Sequence, residues 1–412
     1  MKEILIVLTE TYPYLHGESF IENEEEFWKF DKILLIPTNK IYGQPRTYKN
    51  PAIEVINIWD GKNFIFSGLL QSLGDFDYWN EVRRIVNHFS IRKLLFLTKF
   101  IFESHQKAKE ILKRLDKYNF SSQDQVTLYS YWAFEAAYIG QVLKKKLEVR
   151  KFITRIHGYD LYEQRNKYNY LPMRDTIFST CDYILPVSEA GKKYLELKWK
   201  KYQNKYLVSH LGTKDHGVQL LEETKEFHIL TCSNIISVKR LDKLVDALAL
   251  VKNYPIKWTH FGDGNLADTI KEKAHEKLGE NIAVEFKGKC KNSEVIENYK
   301  NSVYHCFVNT SDSEGLPVSI MEAISFGIPV IAPDVGGMKE IVCDQTGILL
   351  NKGFHIQELA DAINNMASIY KEDTNRYQEL RNNARKFWEQ NYDAVVQYSN
   401  FNTFLHMKGN DK

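Results

Sequence analysis

The sequence predicts an α/β protein made of two doubly wound parallel sheets, one in each half of the chain. Three observations carry that expectation. Short apolar runs alternate with stretches of helical character, the pattern of parallel strands buried on both faces. The alternation halts over Leu211 to Glu223 and restarts at His228. The 412 residues suffice for two ordinary domains with one core each.

In the first half, Ile4 to Leu8 reads as a buried strand, followed by a loop over Thr9 to Glu18. The segment S-F-I-E sets Ser19 and Glu22 as a capping box, opening a helix that runs to Phe30. Lys32 to Pro37 is a second apolar run, and residues 60–120 are helical, aromatic and irregular. Val126 to Trp132 is a strand, with a helix starting at Ala133. Lys151 to Ile156, Tyr183 to Val187 and Lys205 to His210 are further strands, and Ser188 caps the helix after Val187. Ile91 to Leu115 mixes Lys and Arg with Leu and Phe. It fits a helix packed on the sheet with a basic outer face, or one lying on an anionic membrane surface.

In the second half, His228 to Cys232 is a strand, Arg240 to Val251 a helix and Ile256 to Phe261 a strand. Ala283 to Phe286, Val303 to Asn309 and Ile328 to Ala332 are further strands, with helices between them. Two helices close the chain, Asn375 to Trp388 and Asp393 to Leu405. Ligands of such sheets bind beyond the carboxyl ends of the strands, so the loops at those ends hold the candidate chemistry.

Composition narrows the function classes. A hydrophobic content of 43% with 26% charged residues is that of a soluble globular protein, and a net charge of +2 gives no reason to expect a nucleic-acid partner. The five cysteines, Cys181, Cys232, Cys290, Cys306 and Cys343, are odd in number and contain no C-x-x-C. They predict neither a disulfide framework nor a zinc site, and they fit a reducing cytoplasm. The apolar run at the N-terminus is too short for a signal peptide, and no run approaches a membrane span.

The segment Ser311 to Glu322, S-D-S-E-G-L-P-V-S-I-M-E, follows the strand Val303 to Asn309. Pro317 suits the first position of a helix, and Gly327 suits its end. Glu314 then lies just before a helix N-terminus and Glu322 inside the helix. Gly315 lets a ligand approach the backbone closely. Free amides near Gly315, Leu316 and Val318, with Pro317 contributing none, and the helix dipole favour an anion there. Carboxylates on either side can accept hydroxyls. Phosphate flanked by hydroxyls is the outline of a nucleotide-sugar.

With the following I-P-V-I-A-P-D-V-G-G-M-K-E-I-V, this segment resembles the E-x7-E region of family 4 glycosyltransferases, retaining enzymes of the GT-B fold. The resemblance implies two Rossmann-like domains facing each other across a cleft. Residues 1–212 would bind acceptor, residues 213–390 would bind donor, and residues 391–412 would form a helix crossing back to the first domain. It implies that Lys239 binds the donor diphosphate, in a segment where the family carries G-R-L-x-x-x-K. Asn234 stands here in place of the family Arg, and Arg240 is the candidate for a second charge. Gly262 falls in the family's G-x-G turn, and Lys289 near the place where the base is held. His157, in H-G-Y-D, would hydrogen-bond the donor sugar; Asp160 fits either an acceptor contact or a helix cap. Gly17 falls in the loop against the diphosphate, where many members have two glycines, and His16 is left for the acceptor. Tyr131 is a further acceptor candidate, while Trp132 reads as a core aromatic.

The expectation is therefore a retaining transferase, with Glu314, His157 and Lys239 as catalytic residues. It moves a sugar from a nucleoside-diphosphate sugar to a glycan or lipid-linked glycan in surface-polysaccharide synthesis. No metal or other cofactor is expected, because Lys239 and the helix at Pro317 can neutralise the diphosphate. The expected location is cytoplasmic, with peripheral contact to the membrane face left open. The competing classes are a non-catalytic glycosyltransferase-like partner and a GT-B epimerase or phosphorylase. A nicotinamide dehydrogenase is disfavoured, since no G-x-G-x-x-G opens the first helix.

Overall fold

The computed structural model describes residues 1–14, 18–59, 76–86 and 90–407. The chain divides into two compact units, Met1–Ser209 with Tyr398–Lys412, and His210–Gln397.

The first unit is built on six parallel strands: β1 Glu3–Thr9, β2 Lys32–Pro37, β3 Ile53–Val55, β4 Gln125–Ser130, β5 Val149–Ile156 and β6 Tyr183–Pro186. Their order is β3-β2-β1-β4-β5-β6. Period-2 alternation sends Ile4, Ile6 and Leu8 of β1 to one face, into a core shared with Leu97, Phe100, Ala137 and Phe152. Leu5 and Val7 point the other way, among Trp28, Tyr129, Phe401 and Leu405. Both faces of the sheet are thus buried. Helix Ala394–His406 supplies Phe401 and Leu405. Its last carbonyls are held by Lys151, whose Nζ donates to Phe404 and Met407 at 2.7 Å each, and by Arg150, which donates to Leu405 at 3.1 Å. Cations at a helix C-terminus also suit the dipole.

The second unit repeats the plan with β7 Phe227–Cys232, β8 Ile256–Phe261, β9 Ile282–Gly288, β10 Cys306–Val308, β11 Val330–Pro333 and β12 Gly347–Leu350. The order is β12-β11-β10-β7-β8-β9, so both sheets run third, second, first, fourth, fifth, sixth. That is the doubly wound order, whose switch point lies between the first and fourth strands. Helices Leu241–Leu250, Ile356–Glu372 and Thr374–Asn391 cover this sheet through Leu244, Leu248, Ile363, Met366 and Tyr377.

Some expectations need correction. Ser19 and Glu22 do not form a capping box. The segment is a pair of 3-10 turns, Ser19–Asn23 and Glu25–Phe27, with Glu18 in the capping position and no capping side chain. Glu22 instead pairs with Arg46 at 2.5 Å. Lys205 to His210 is not a strand, since it follows a 3-10 turn and makes one parallel bridge, Tyr206 to Ile184. The segment after Leu211 is pinned to the second unit. Thr213 accepts the Trp388 indole N–H at 2.7 Å, and Gly212 lies so close to Ala394 that a Cβ would meet its Cα at 2.6 Å. Ser188 does cap its helix, accepting the Gly191 N–H at 3.0 Å. Along Ile91–Leu115, Leu97, Phe100, Ile101 and Ile111 are buried while Ile91 and Leu95 are exposed. Among the described residues no helix is long and apolar enough to cross a membrane.

Candidate active site

In the second unit the switch point lies between β7 and β10, and the loops leaving these two strands are stitched together. The Thr310 hydroxyl donates to the Lys239 carbonyl at 2.8 Å, and the Asp312 N–H to the Val238 carbonyl at 2.9 Å. Asn309 turns the chain after β10 by accepting the Ser311 N–H on its side chain at 2.8 Å. The same turn presents Glu314, a buried carboxylate. Its Oε1 accepts Lys239 Nζ at 2.5 Å, the Ser311 hydroxyl at 2.6 Å and Asn309 Nδ2 at 3.4 Å. Lys239 and Glu314, both expected in the site, are thus brought into contact.

Glycine is required where this loop meets the one after β11. Gly336 has φ of 59°, and a Cβ there would stand 1.9 Å from the Glu314 carbonyl oxygen. The neighbouring Gly337 N–H donates to the Gly315 carbonyl at 2.8 Å. Gly262 has φ of 138°, and its Cβ would meet the Ser233 carbonyl at 1.8 Å. Any side chain at this position is excluded by packing of the β8 loop on the β7 loop.

Pro317 occupies the capping position of helix Val318–Ser325, one residue earlier than expected, and supplies no capping side chain. Leu316 and Pro317 are buried, and Gly315 and Val318 are half-buried. The helix ends in a Schellman motif. Gly327, with φ of 72°, donates to Ile324, and Ile328 donates to Ala323. Glu322 points into the unit and accepts Asn292 Nδ2 at 2.8 Å. Burial pushes its carboxyl up to about 7, against the lowering influence of Asn292.

Other expected donor residues are placed differently. Arg240, in the left-handed region at φ of 50°, donates to both Asp242 oxygens at 3.1 and 3.0 Å and to Asp312 at 2.9 Å. Its charge is satisfied by carboxylates on its own surface. Asn234 and Lys289 are exposed.

In the first unit His157 follows β5, beside the rings of Tyr131 at 5.2 Å and Trp132 at 4.4 Å. Burial and the Arg155 charge hold its imidazole well below the usual range, hence neutral. Asp160 takes the capping part at the start of helix Gly158–Leu161, which follows His157. It is fully buried, and its two oxygens accept the His157 and Ala133 N–H groups at 2.6 Å each. Burial pushes it up to about 7. Tyr131 is fully buried in the core. His16 and Gly17 lie outside the described residues. The sequence reading missed Ser311, Asn309 and Asn292 as carboxylate partners. It also missed the buried pair of Arg155 and Glu24, 3.3 Å apart. Ser311 lies inside the motif and Asn309 two residues before it, so both could have been found there; the others meet only through the fold. Among the described residues no group of three acidic, Cys or His side chains could hold a metal ion.

Residues 213–387 match the family model described as glycosyl transferases group 1. The match falls within the second unit. The chain is also similar to the GtfA subunit of UDP-N-acetylglucosamine–peptide N-acetylglucosaminyltransferase from Streptococcus parasanguinis. The two are 26% identical over 227 residues, 52% of this chain and 44% of that protein. The chain therefore spans under half the length of that relative. The Escherichia coli K12 protein WcaL, named for colanic acid biosynthesis, is 23% identical over 60% of this chain and 62% of its own. Among solved structures, Anabaena HepE in complex with UDP superposes with a TM-score of 0.67 at 16% identity, covering 98% of this chain and 99% of that one. Such likeness, with the two parallel six-stranded sheets, shows the GT-B fold.

Proposed function

We propose that the protein is a retaining, family 4 glycosyltransferase that uses a nucleoside-diphosphate sugar. The observation that carries this reading is the Lys239–Glu314 contact beside the uncapped helix terminus at Pro317. A cation and free helix amides suit a diphosphate, and an adjacent carboxylate suits sugar hydroxyls. The match over residues 213–387 and the UDP bound by HepE support a nucleotide-sugar donor.

In this reading the diphosphate takes Lys239 Nζ and the amides ahead of Val318, and Glu322 accepts the ribose hydroxyls. Glu314 holds the donor sugar. The acceptor oxygen bonds to the anomeric carbon as the bond from that carbon to the phosphate oxygen breaks. The departing phosphate takes the acceptor proton, so attack comes from the leaving-group face and configuration is retained. Neutral His157 is the first unit's candidate for a hydrogen bond to a sugar. Stabilising the leaving diphosphate is the largest contribution to rate.

The name of the E. coli relative supports a surface-glycan acceptor. A lipid-linked acceptor would also suit the exposed Trp79, Ile91 and Leu95 with Arg83 and Arg92 near them, as a peripheral contact on the cytoplasmic membrane face. Calorimetry with UDP, followed by turnover of UDP-sugars, tests the reading. Failure of every nucleoside diphosphate to bind overturns it, and binding without transfer or donor hydrolysis favours a non-catalytic partner.

A further inference from the structure

The first unit has its own switch point, between β1 and β4, and Glu18 ties the two loops that leave it. From the β1 loop the Glu18 carboxylate accepts the N–H groups of Glu10 at 3.0 Å, Thr11 at 2.7 Å and Tyr12 at 2.6 Å, and the Thr11 hydroxyl at 3.2 Å. From the β4 loop it accepts the indole N–H of Trp132 at 2.6 Å. These donors offset the burial of the carboxylate. Glu18 itself sits in the left-handed region at φ of 65°. Such a conformation costs a non-glycine residue on the order of 1 kcal/mol and persists only where its surroundings impose it.

The bond to Glu18 fixes the plane of the Trp132 ring. That ring is half-buried, beside half-buried Phe20 at 6.1 Å and the His157 imidazole at 4.4 Å. His157 is 8% exposed, and neither ring nitrogen meets a hydrogen-bond partner among the described residues. Buried polar atoms are nearly always satisfied, so two orphaned nitrogens beside a partly open indole mark a place for a polar ligand. A pyranose has the required form. Its C–H face lies on an aromatic ring, and its rim hydroxyls reach the imidazole. Glu10, half-buried in the same β1 loop, is pushed up to about 8 by burial and by the Glu18 and Asp160 charges. It is therefore protonated at neutral pH and can donate to a hydroxyl.

We propose that Trp132 is the stacking platform for a pyranose ring, and that Glu18 is the positioning residue that holds its indole plane. This rests on the transferase reading, and the ring belongs to acceptor or donor by the same chemistry.

Saturation-transfer NMR with methyl α-glucopyranoside and methyl β-galactopyranoside, in the presence of UDP, reads an acceptor ring. Calorimetry comparing UDP-glucose with UDP reads a donor ring. For an acceptor ring, Trp132→Leu should lower the ring-proton signal about threefold or more, the range of an aromatic contact. Trp132→Phe should restore much of it. Glu18→Gln should lower it while UDP affinity stays within about twofold, a split that general loss of structure would not produce. For a donor ring, the Leu variant should instead lose the UDP-glucose advantage over UDP. The proposal is overturned if Trp132→Leu changes neither readout, or if the wild type shows neither a glycoside signal nor a UDP-glucose advantage. Failure of UDP to bind the wild type overturns the transferase reading separately, since the glycoside signal still reports the platform.

Discussion

Lys239 and Glu314 stand 75 residues apart in the chain, yet their side chains meet at 2.5 Å. They leave β7 and β10, which are far apart in sequence and adjacent in the sheet. The contact has a consequence for ligand binding. A diphosphate that takes the Lys239 ammonium competes with Glu314 for it. Donor binding would then hand Lys239 to the phosphate and release the carboxylate for the sugar, with Ser311 and Asn309 still holding it in place.

Lys239→Ala should therefore weaken UDP binding by about 10- to 100-fold, the worth of one hydrogen bond to a charged group. Lys239→Arg keeps the charge and should retain part of the affinity. Calorimetry reads both variants. An Ala variant that binds UDP like the wild type places Lys239 outside the donor site.

The Gly336 contact predicts a difference between two glycines that share a backbone conformation. Gly336 and Gly353 both have positive φ, at 59° and 77°. A Cβ at Gly336 would stand 1.9 Å from the Glu314 carbonyl, whereas one at Gly353 meets nothing within 4 Å. Gly353→Ala should cost only the left-handed strain, about 1 kcal/mol. Gly336→Ala should cost visibly more in denaturant unfolding and should also lower transfer, because the Glu314 loop has to shift. Equal losses for the two variants would argue against the close approach.

How far the sequence could be read follows from what each feature depends on. β2 and β8 fall on the predicted apolar runs because buried parallel strands are apolar throughout. β3 escaped because Ile53–Val55 is three residues with a Glu in the middle, and β12 because Gly347–Leu350 is four. Both are edge strands, with one neighbour each to impose a pattern. The apolar run at Lys205 to His210 looked like a strand, but a run alone does not supply a ladder. In the site, Glu314 and Glu322 were legible since a turn and one helix fix their spacing. Asn292 against Glu322 and Trp132 against Glu18 were not, because these pairs lie 30 and 114 residues apart and meet only through the sheet order.

Glu322 gives a pH-dependent expectation. Its folded value of about 7 stands above the ordinary 4.5. Below 4.5 both folded and unfolded forms are protonated and the group has no effect. As pH rises from 4.5 to 7 the folded state binds more protons than the unfolded state, so this group's contribution to stability falls. Ribose hydroxyls prefer the carboxylate, so UDP affinity should rise between pH 6 and 8, with proton release on binding. Glu322→Gln should bind more weakly at pH 8 and lose this pH dependence. Calorimetry in two buffers of different ionisation enthalpy reads the proton count. A wild type and variant with the same pH profile would remove Glu322 from the ribose.

Glu314 separates sugar recognition from diphosphate binding. Its carboxylate lies before the helix terminus, while the cation and amides that suit the diphosphate come from Lys239 and from the chain ahead of Val318. Glu314→Gln should therefore lower kcat by about 100-fold or more, as loss of a transition-state contact does, with a smaller effect on UDP affinity. Releasing Lys239 from its carboxylate partner could even tighten UDP, the opposite sign to the Lys239→Ala change. With the wild type, the product should keep the anomeric configuration of the donor, because the departing phosphate takes the acceptor proton on the face that it leaves. Proton NMR of the first product, through the anomeric coupling constant and before any mutarotation, reads this directly. A product of inverted configuration would leave a glycosyltransferase in place and refute the retaining mechanism, since attack would then come from the face opposite the diphosphate and need a separate base.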